Sequence, residues 1–446
     1  MVTGAGGSIG SELCRQITRL KPASLVMFER YENSLHAIRI ELEDARQQLG
    51  LHAVVGDIAD RVRVEEVMRQ FEPEIVFHAA AHKHVPLMEE NPCEAIKNNV
   101  RGTRVIAQAA EECGVDRFIL ISTDKAVNPT SVMGASKRVA ELIIRARADG
   151  SGTSFSIVRF GNVLASNGSV VPRFLEQIRR GGPVTITHPE MRRFFMLIPE
   201  AVQLVLHAAA QADAGATYVL EMGEQVRLVD MARDLIRLSG FVPESEIPIE
   251  FVGLRPGEKL FEELVGRDEE VGPSSIEKIL RVTSRTPPRA DLLDAVTRIE
   301  SDAARGSRDQ VLAGLSELAG LSSVDESPAP PRPTGRAAMA VRAIEGATES
   351  RRTDGARLAQ SCPQCGSSRL HRSHAKNLPE RVRRNLSMRR LFRCDECDWR
   401  GWLIPLDFGD FEPVAVSAAP NLGSLDKALQ SPGPPVRRGF SPRDLH

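Results

Sequence analysis

Near the start of the chain, Thr3-Gly4-Ala5-Gly6-Gly7-Ser8-Ile9-Gly10 spaces its glycines as G-x-x-G-x-x-G. Glycine permits a tight turn and lets a backbone approach a pyrophosphate, and a following helix offers its N-terminus to phosphate charge. Gly4, Gly7, Ser8, Ile9 and Gly10 are therefore candidate cofactor contacts. Such a loop is informative in a strand–loop–helix context with an acidic residue closing the next strand. Here an amphipathic stretch over 8–20 follows the loop, and Glu29 closes the next apolar run, 19 residues after Gly10. A carboxylate there bonds ribose hydroxyls and repels a 2′-phosphate, so NAD is favoured over NADP. The neighbouring Arg30 suits that phosphate and keeps NADP open. Asp57 and Ile58, after a third apolar run, suit an adenine contact, although Asp57 also reads as an ordinary loop carboxylate.

The first 160 residues alternate short apolar runs with longer amphipathic ones. Strands are predicted over 24–29, 52–55, 74–79, 117–122 and 155–160, and helices over 8–20 and 92–113. This βαβα order predicts an α/β fold, a Rossmann-type doubly wound parallel sheet, with a smaller substrate-binding portion over 161–322. The strand before the glycine loop is short against the usual length of about five or six residues. Either the start is placed too late or upstream sequence is missing, as a few strand residues or as a whole N-terminal region. Membrane association is expected only in the last case. No apolar run is long enough to span a bilayer and the formal net charge is −1, so neither membrane nor nucleic acid is recruited by the chain as a whole. A cytoplasmic location is expected, the inner face of a membrane included.

The chemistry-bearing residues follow a strand end: Ser122-Thr123-Asp124-Lys125, then Met133 and Lys137 four apart on a predicted helix. With His78-Ala79-Ala80-Ala81 and Asn99-Val100-Arg101-Gly102-Thr103, this pattern resembles an extended short-chain dehydrogenase/reductase. Further segments narrow the resemblance: Ala81-His82-Lys83-His84-Val85-Pro86, Arg159-Phe160-Gly161-Asn162-Val163, Gly168-Ser169-Val170-Val171-Pro172, Thr187-His188-Pro189 and Arg255-Pro256-Gly257-Glu258-Lys259. Over residues 2–285 the chain resembles the UDP-N-acetylglucosamine 4,6-dehydratases of polysaccharide biosynthesis.

The resemblance implies a lyase on a dehydrogenase fold. Oxidation of the sugar at C4 acidifies C5–H, a base removes that proton, an acid assists loss of the C6 hydroxyl, and the stored hydride returns to C6. NAD(P) is regenerated in each turnover. By resemblance Asp124 is the acid, Lys125 the C5 base, Thr123 a hydrogen-bond partner of the C4 oxygen, and Lys137 the holder of the nicotinamide ribose. Ala79, Ala80, Ala81 and Asn99 complete the cofactor site. Most reductases of the superfamily carry tyrosine at the position of Met133, and a thioether donates no proton. The branch with methionine here retains C5 configuration, and the C4 base is left to Asp124 or a water. Lys83, Asn162, Val171, Arg193, Arg255 and Glu258 are the implied contacts to a UDP-sugar, and self-association is expected. Two other readings stay open: a nucleotide-sugar 4-epimerase, and a non-catalytic NAD(P)-binding regulator. His82 and His84 alone are not taken as a metal site.

Residues 323–361, rich in Pro, Ala, Ser and charge, read as a flexible linker, and 407–446 as a disordered tail. Between them, over 362–406, lie Cys362-x-x-Cys365 and Cys394-x-x-Cys397, 28 residues apart. Paired knuckles of this kind suit a closed tetrahedral zinc site, and the seven cysteines do not suit a disulfide framework. Nine Lys or Arg residues against one Glu separate the knuckles. That basic stretch reads either as a solvated loop or as a surface for an anionic partner. Phe392, Trp399 and Trp402 are too few aromatics to predict specific nucleic-acid recognition.

Overall fold

The computed structural model describes residues 1–45, 50–164, 166, 168–211, 213–272, 274, 276–287, 289–321, 364–365, 370–372, 390–394, 396–397 and 400–403. The chain divides into two units, Met1–Ala338 and Met339–His446.

The first unit is built on a nine-stranded sheet. Its parallel strands are β1 (Val2–Thr3), β2 (Ser24–Glu29), β3 (Gly50–Val55), β4 (Ile75–His78), β5 (Arg117–Thr123) and β6 (Ser154–Phe160), in the order β3-β2-β1-β4-β5-β6. Thr217–Leu220 extends it parallel to β6, and Ile279–Ser284 and Glu269–Gly272 add an antiparallel edge. The predicted strands hold to within two residues at each end. Strands buried on both faces need near-continuous apolar runs, and β5 (Arg-Phe-Ile-Leu-Ile-Ser-Thr) has one. β1 is paired on both edges, Val2 facing Met27 and Phe77.

Helices α1 (Ser8–Arg19), α2 (Glu32–Ala45) and α3 (Arg61–Phe71) lie between the first strands. The predicted helix over 92–113 is broken. After α4 (Val85–Glu90) come α5 (Pro92–Ala95), a π-helical turn at Ile96–Arg101, and α6 (Gly102–Glu112). The widened turn carries buried Asn98 and Asn99, whose inward side chains an apolar periodicity does not reveal. Helix α7 (Val132–Ala148) follows the loop after β5. An apolar cluster joins α7 to the helices Leu292–Ala304 and Arg308–Ala319, so these residues cap the first unit rather than forming a loose end. The substrate portion is likewise not a separate body, since three of its strands complete the main sheet. Among the described residues no helix is long and apolar enough to cross a membrane.

In the second unit, Leu370–Arg372, Arg390–Cys394 and Arg400–Leu403 form a three-stranded antiparallel sheet. The linker at 323–361, the tail at 407–446, Cys362 and most of the basic stretch lie outside the described residues.

Candidate active site

The glycine loop joins β1 to α1. Gly4 has φ +68°, and a Cβ there would stand 2.7 Å from the Ala80 nitrogen. Gly10 lies behind the loop, where a Cβ would overlap the Gly4 carbonyl. Both positions require glycine for space, and Gly4 also for its left-handed backbone. The loop opens into a cavity of about 500 Å³. Gly4, Gly7, Glu29, Arg30, Ile58 and Ala79 to Ala81 line it. Glu29 accepts from the Gly6 (3.1 Å), Arg30 (2.8 Å) and Tyr31 (3.0 Å) backbone N–H groups, which fixes its carboxylate at the rim. Arg30 is committed to Asp57 at 3.3 Å and lies over the Tyr31 ring.

Other predicted cofactor residues act from behind. Ser8 and Ile9 begin α1. Asn99 is buried, donates to the His82 carbonyl and Ser136 Oγ at 3.0 Å each, and accepts from His82 N–H, so it ties the loop after β4 to α7. Lys137 is buried, and its Nζ donates to the Ile121 carbonyl at 2.7 Å. Burial lowers its pKa to about 8, against the opposing field of Glu141. Asn98, Tyr31 and Ser34 also line the cavity and were not anticipated. For Tyr31 its place two residues after Glu29 was the available signal.

The reactive pair sits at the C-terminal end of β5, where ligands of open α/β sheets bind. Asp124 starts a short 3₁₀ turn over Asp124–Ala126, and Thr123 Oγ1 accepts from Lys125 N–H at its head. Ser131 then caps α7 by accepting from Gly134 N–H at 3.0 Å. Asp124 is fully buried. Its Oδ1 accepts from Thr123 Oγ1 at 2.9 Å and Lys125 Nζ at 3.0 Å. Its Oδ2 is buried and has no hydrogen-bond partner among the described residues. Burial raises the Asp124 pKa, Lys125 opposes the rise, and Glu262 adds to it.

Lys125 Nζ also donates to Asn162 Oδ1 at 3.0 Å and stands 3.5 Å from Glu262 Oε1. Burial disfavours its charge, but Asp124 and Glu262 outweigh burial and hold the ammonium above its ordinary pKa. Glu262 was not singled out in the sequence. It is buried between Lys125 and Arg193, with Oε2 unpartnered among the described residues. Burial pushes its pKa up, but the cations Lys125, Arg193 and Lys259 bring it below the ordinary value.

Lys125, Arg193, Glu258 and Glu262 line a second cavity of about 120 Å³. Arg193 is buried, and its donors are taken by the carbonyls of Arg192, Lys259 and Leu260. In this structure it braces the 255–262 segment. Glu258 Oε2 accepts from Arg255 N–H at 3.2 Å, closing the Pro256-Gly257 turn. Gly257 has φ +77°, and Lys259 Nζ ties the segment to the Val127 carbonyl at 2.9 Å. The Arg255 side chain makes no hydrogen bond or ion pair among the described residues and is free for a ligand. Lys83 Nζ reaches Ser166 Oγ at 3.4 Å, and Val171 is half-buried in the helix Val170–Arg179. Neither lines the Lys125 cavity. Met133 is buried in the apolar cluster under the C-terminal helices. Arg159 is a brace: it is buried against Glu141 and Glu269, and Ser122 joins through Glu141.

Comparison with known proteins agrees with this geometry. Residues 1–284 match the polysaccharide biosynthesis protein family. The capsular polysaccharide biosynthesis protein CapD of Staphylococcus aureus is 54% identical over 284 residues, covering 63% of this chain and 47% of CapD. The chain thus spans about half the length of that relative. A UDP-glucose 4-epimerase of Rickettsia rickettsii is 36% identical over 279 residues, covering 60% of this chain and 78% of the epimerase. The structure of a DesIV double mutant, a dTDP-glucose 4,6-dehydratase from Streptomyces venezuelae with NAD and DAU bound, shares the fold. Its TM-score is 0.53 at 23% identity, over 59% of this chain and 87% of that one. The order β3-β2-β1-β4-β5-β6, the glycine loop and the match over residues 1–284 place this chain in the polysaccharide biosynthesis protein family, on an extended short-chain dehydrogenase/reductase fold.

Proposed function

We propose that the first unit is a nucleotide-sugar 4,6-dehydratase acting on UDP-N-acetylglucosamine, with retention at C5. The observation that carries the reading is the triad of Asp124, Lys125 and Glu262: a buried carboxyl with a raised pKa hydrogen-bonded to an ammonium held between two acids. A simple dehydrogenase needs one group to accept the hydroxyl proton, whereas water elimination also needs a base for a C–H proton and an acid for the leaving hydroxyl.

The cavity of about 500 Å³ beside Gly4 and Glu29, lined by glycine backbone and Ala79 to Ala81, suits a dinucleotide. The glycine loop, Glu29 and Ala79 to Ala81 would hold the dinucleotide, which would supply a reversible hydride acceptor for C4 oxidation and C6 reduction. The protein's own residues handle the protons. Lys125 rests charged, so it cannot take the C5 proton directly. One proton shift along the 3.0 Å bond from Lys125 Nζ to Asp124 Oδ1 yields a neutral amine and a protonated carboxyl together. The amine then removes the C5 proton, and the carboxyl gives its proton to the departing C6 hydroxyl. Lys125 finally returns a proton to C5 on the face from which it came, which is the basis for retention. The C4 hydroxyl proton, released to water as hydride leaves, restores Lys125 to its charged form, so the net change is loss of one water. Arg255 and Glu258 suit the diphosphate and ribose, and NAD is favoured over NADP because Glu29 stands at the rim.

Incubation of the protein with UDP-N-acetylglucosamine and a catalytic amount of NAD+ tests this. A product lighter by one water is expected. The 36% identical epimerase favours a second reading, in which the product has unchanged mass. Bound cofactor with no product supports a non-catalytic role and refutes both.

A further inference from the structure

The second unit lies outside the region shared with the family, and its cysteines play no part in the dehydratase chemistry. We propose that Cys365, Cys394 and Cys397 bind one zinc ion as thiolates, at a structural site that closes the three-stranded sheet.

The backbone supplies the first argument. Leu370 faces Cys394 across the antiparallel pair, so Cys365, in the turn before Leu370, arrives at the sheet end where Cys394 stops. Cys397 lies in the turn that carries the chain into Arg400–Leu403. Two segments separated by 28 residues in sequence are thereby brought to one point.

The sulfur geometry supplies the second. The three Sγ atoms lie within 4.8 Å of one another, and Cys365 Sγ stands 3.6 Å from Cys394 Sγ. Tetrahedral zinc with Zn–S bonds of about 2.3 Å has sulfur–sulfur edges of about 3.8 Å. A disulfide needs about 2.05 Å, far shorter than the observed separation. A redox dithiol draws its reactivity from a helix N-terminus or a similar electropositive setting. Cys394 instead ends a strand and is buried. The tetrahedron has one further position. The sequence expectation for it is Cys362, which lies outside the described residues.

Energetics point the same way. A segment of this size buries too little apolar surface to hold a fold, and at about 40 residues or fewer a metal or disulfides are usually required. Soft thiolates select zinc over the hard divalent cations. Binding releases a proton from each thiol that enters as thiol, so uptake weakens as pH falls.

The test uses the full chain produced with zinc available. Elemental analysis is expected to find about one zinc per chain. Titration with a mercurial thiol reagent should release it to a chromogenic chelator. Cys394→Ser and Cys397→Ser should each lose the metal, whereas Cys113→Ser, in the first unit, should keep it. Both losses should leave nucleotide-cofactor binding by the first unit unchanged. Because a ligand variant can fail to fold locally, the wild-type chain is also stripped and titrated with Zn2+ alone, with saturation at one equivalent and proton release expected. Absence of zinc, iron in its place, retention of zinc by both variants, or a Cys365–Cys394 disulfide in freshly purified protein would overturn the proposal.

Discussion

Glu262→Gln removes one negative charge from the reactive cluster and keeps its volume. The carboxylate stands 3.5 Å from Lys125 Nζ and 3.5 Å from Arg193 Nε. At an effective dielectric of about 20, a unit charge pair at this separation is worth about 4.7 kcal/mol. Asp124 remains beside Lys125 and the site relaxes, so only part of this is lost and the Lys125 pKa is expected to fall. Asp124 loses a like-charged neighbour and its pKa falls as well. In the proposed reaction one proton is shared between this acid and base, so a bell-shaped pH dependence is expected, with one limb from each group. Both limbs move to lower pH in the variant.

Initial rates of water loss from the nucleotide sugar, measured across pH at limiting and saturating substrate, read this shift. A folded variant whose limbs stay in place, or move to higher pH, refutes the role given to Glu262. Folding is checked by thermal unfolding and cofactor binding, because uncovering Lys125 and Arg193 is expected to cost about 3 to 5 kcal/mol. The pH dependence of stability has a defined sign. The Glu262 carboxyl is held below its ordinary 4.5 by the surrounding cations. Its contribution is therefore present above that value and is lost as pH falls through the lowered one. The variant lacks this acid-side loss.

Lys125→Met should reduce turnover by about 10² to 10⁴ through loss of the base while leaving cofactor affinity, followed by nicotinamide fluorescence, unchanged. Gly10→Ala places a Cβ 2.6 Å from the Gly4 carbonyl carbon, whereas Gly7→Ala meets the Gly4 oxygen at 3.2 Å. The first should cost about 1 to 3 kcal/mol and abolish cofactor binding, and the second should be milder, as read by thermal unfolding and calorimetric titration with NAD+. Glu29→Gln removes the carboxylate that disfavours a 2′-phosphate, so the ratio of NADP+ to NAD+ affinity should rise by about tenfold, or about 1.4 kcal/mol. An unchanged ratio would place the ribose elsewhere.

The parts of this molecule legible in the sequence are those set by local pattern. Glycine spacing, apolar runs and the adjacency of Asp124 to Lys125 survive in one dimension. Glu262 does not, because its flanking residues resemble an ordinary charged stretch. Its burial comes from the 255–262 segment closing on the loop after β5, more than 120 residues earlier. Arg193 shows the complementary difficulty. Residue type suggested a phosphate contact, but the direction of a side chain is set by packing, and here backbone carbonyls take its donors. The break at Ile96–Arg101 has the same origin, since Asn99 turns inward to partners on other elements. Arg159 meets Glu269 across 110 residues, a pairing that no local pattern encodes.

Met133 leaves one proton to be placed. Its side chain is buried and carries no acid or base, so the C4 hydroxyl proton must go elsewhere when hydride leaves. Thr123 Oγ1 is already bonded to Asp124 Oδ1 at 2.9 Å, so Asp124 is within one relay of that proton. In the scheme proposed above, however, Asp124 enters chemistry already protonated and has no capacity for a second proton. The acceptor is then a water in the cavity of about 120 Å³ beside Lys125. Asp124→Asn separates the alternatives, because it removes the acid but leaves that cavity's lining intact. With water as acceptor, a single turnover of the variant should still reduce the bound nicotinamide, seen by its near-ultraviolet absorbance, while water loss falls by about 10² to 10⁴. If no reduced nicotinamide forms in a variant that binds both ligands, Asp124 is itself the C4 base. It would then be loaded by the first step of the reaction it completes in the second.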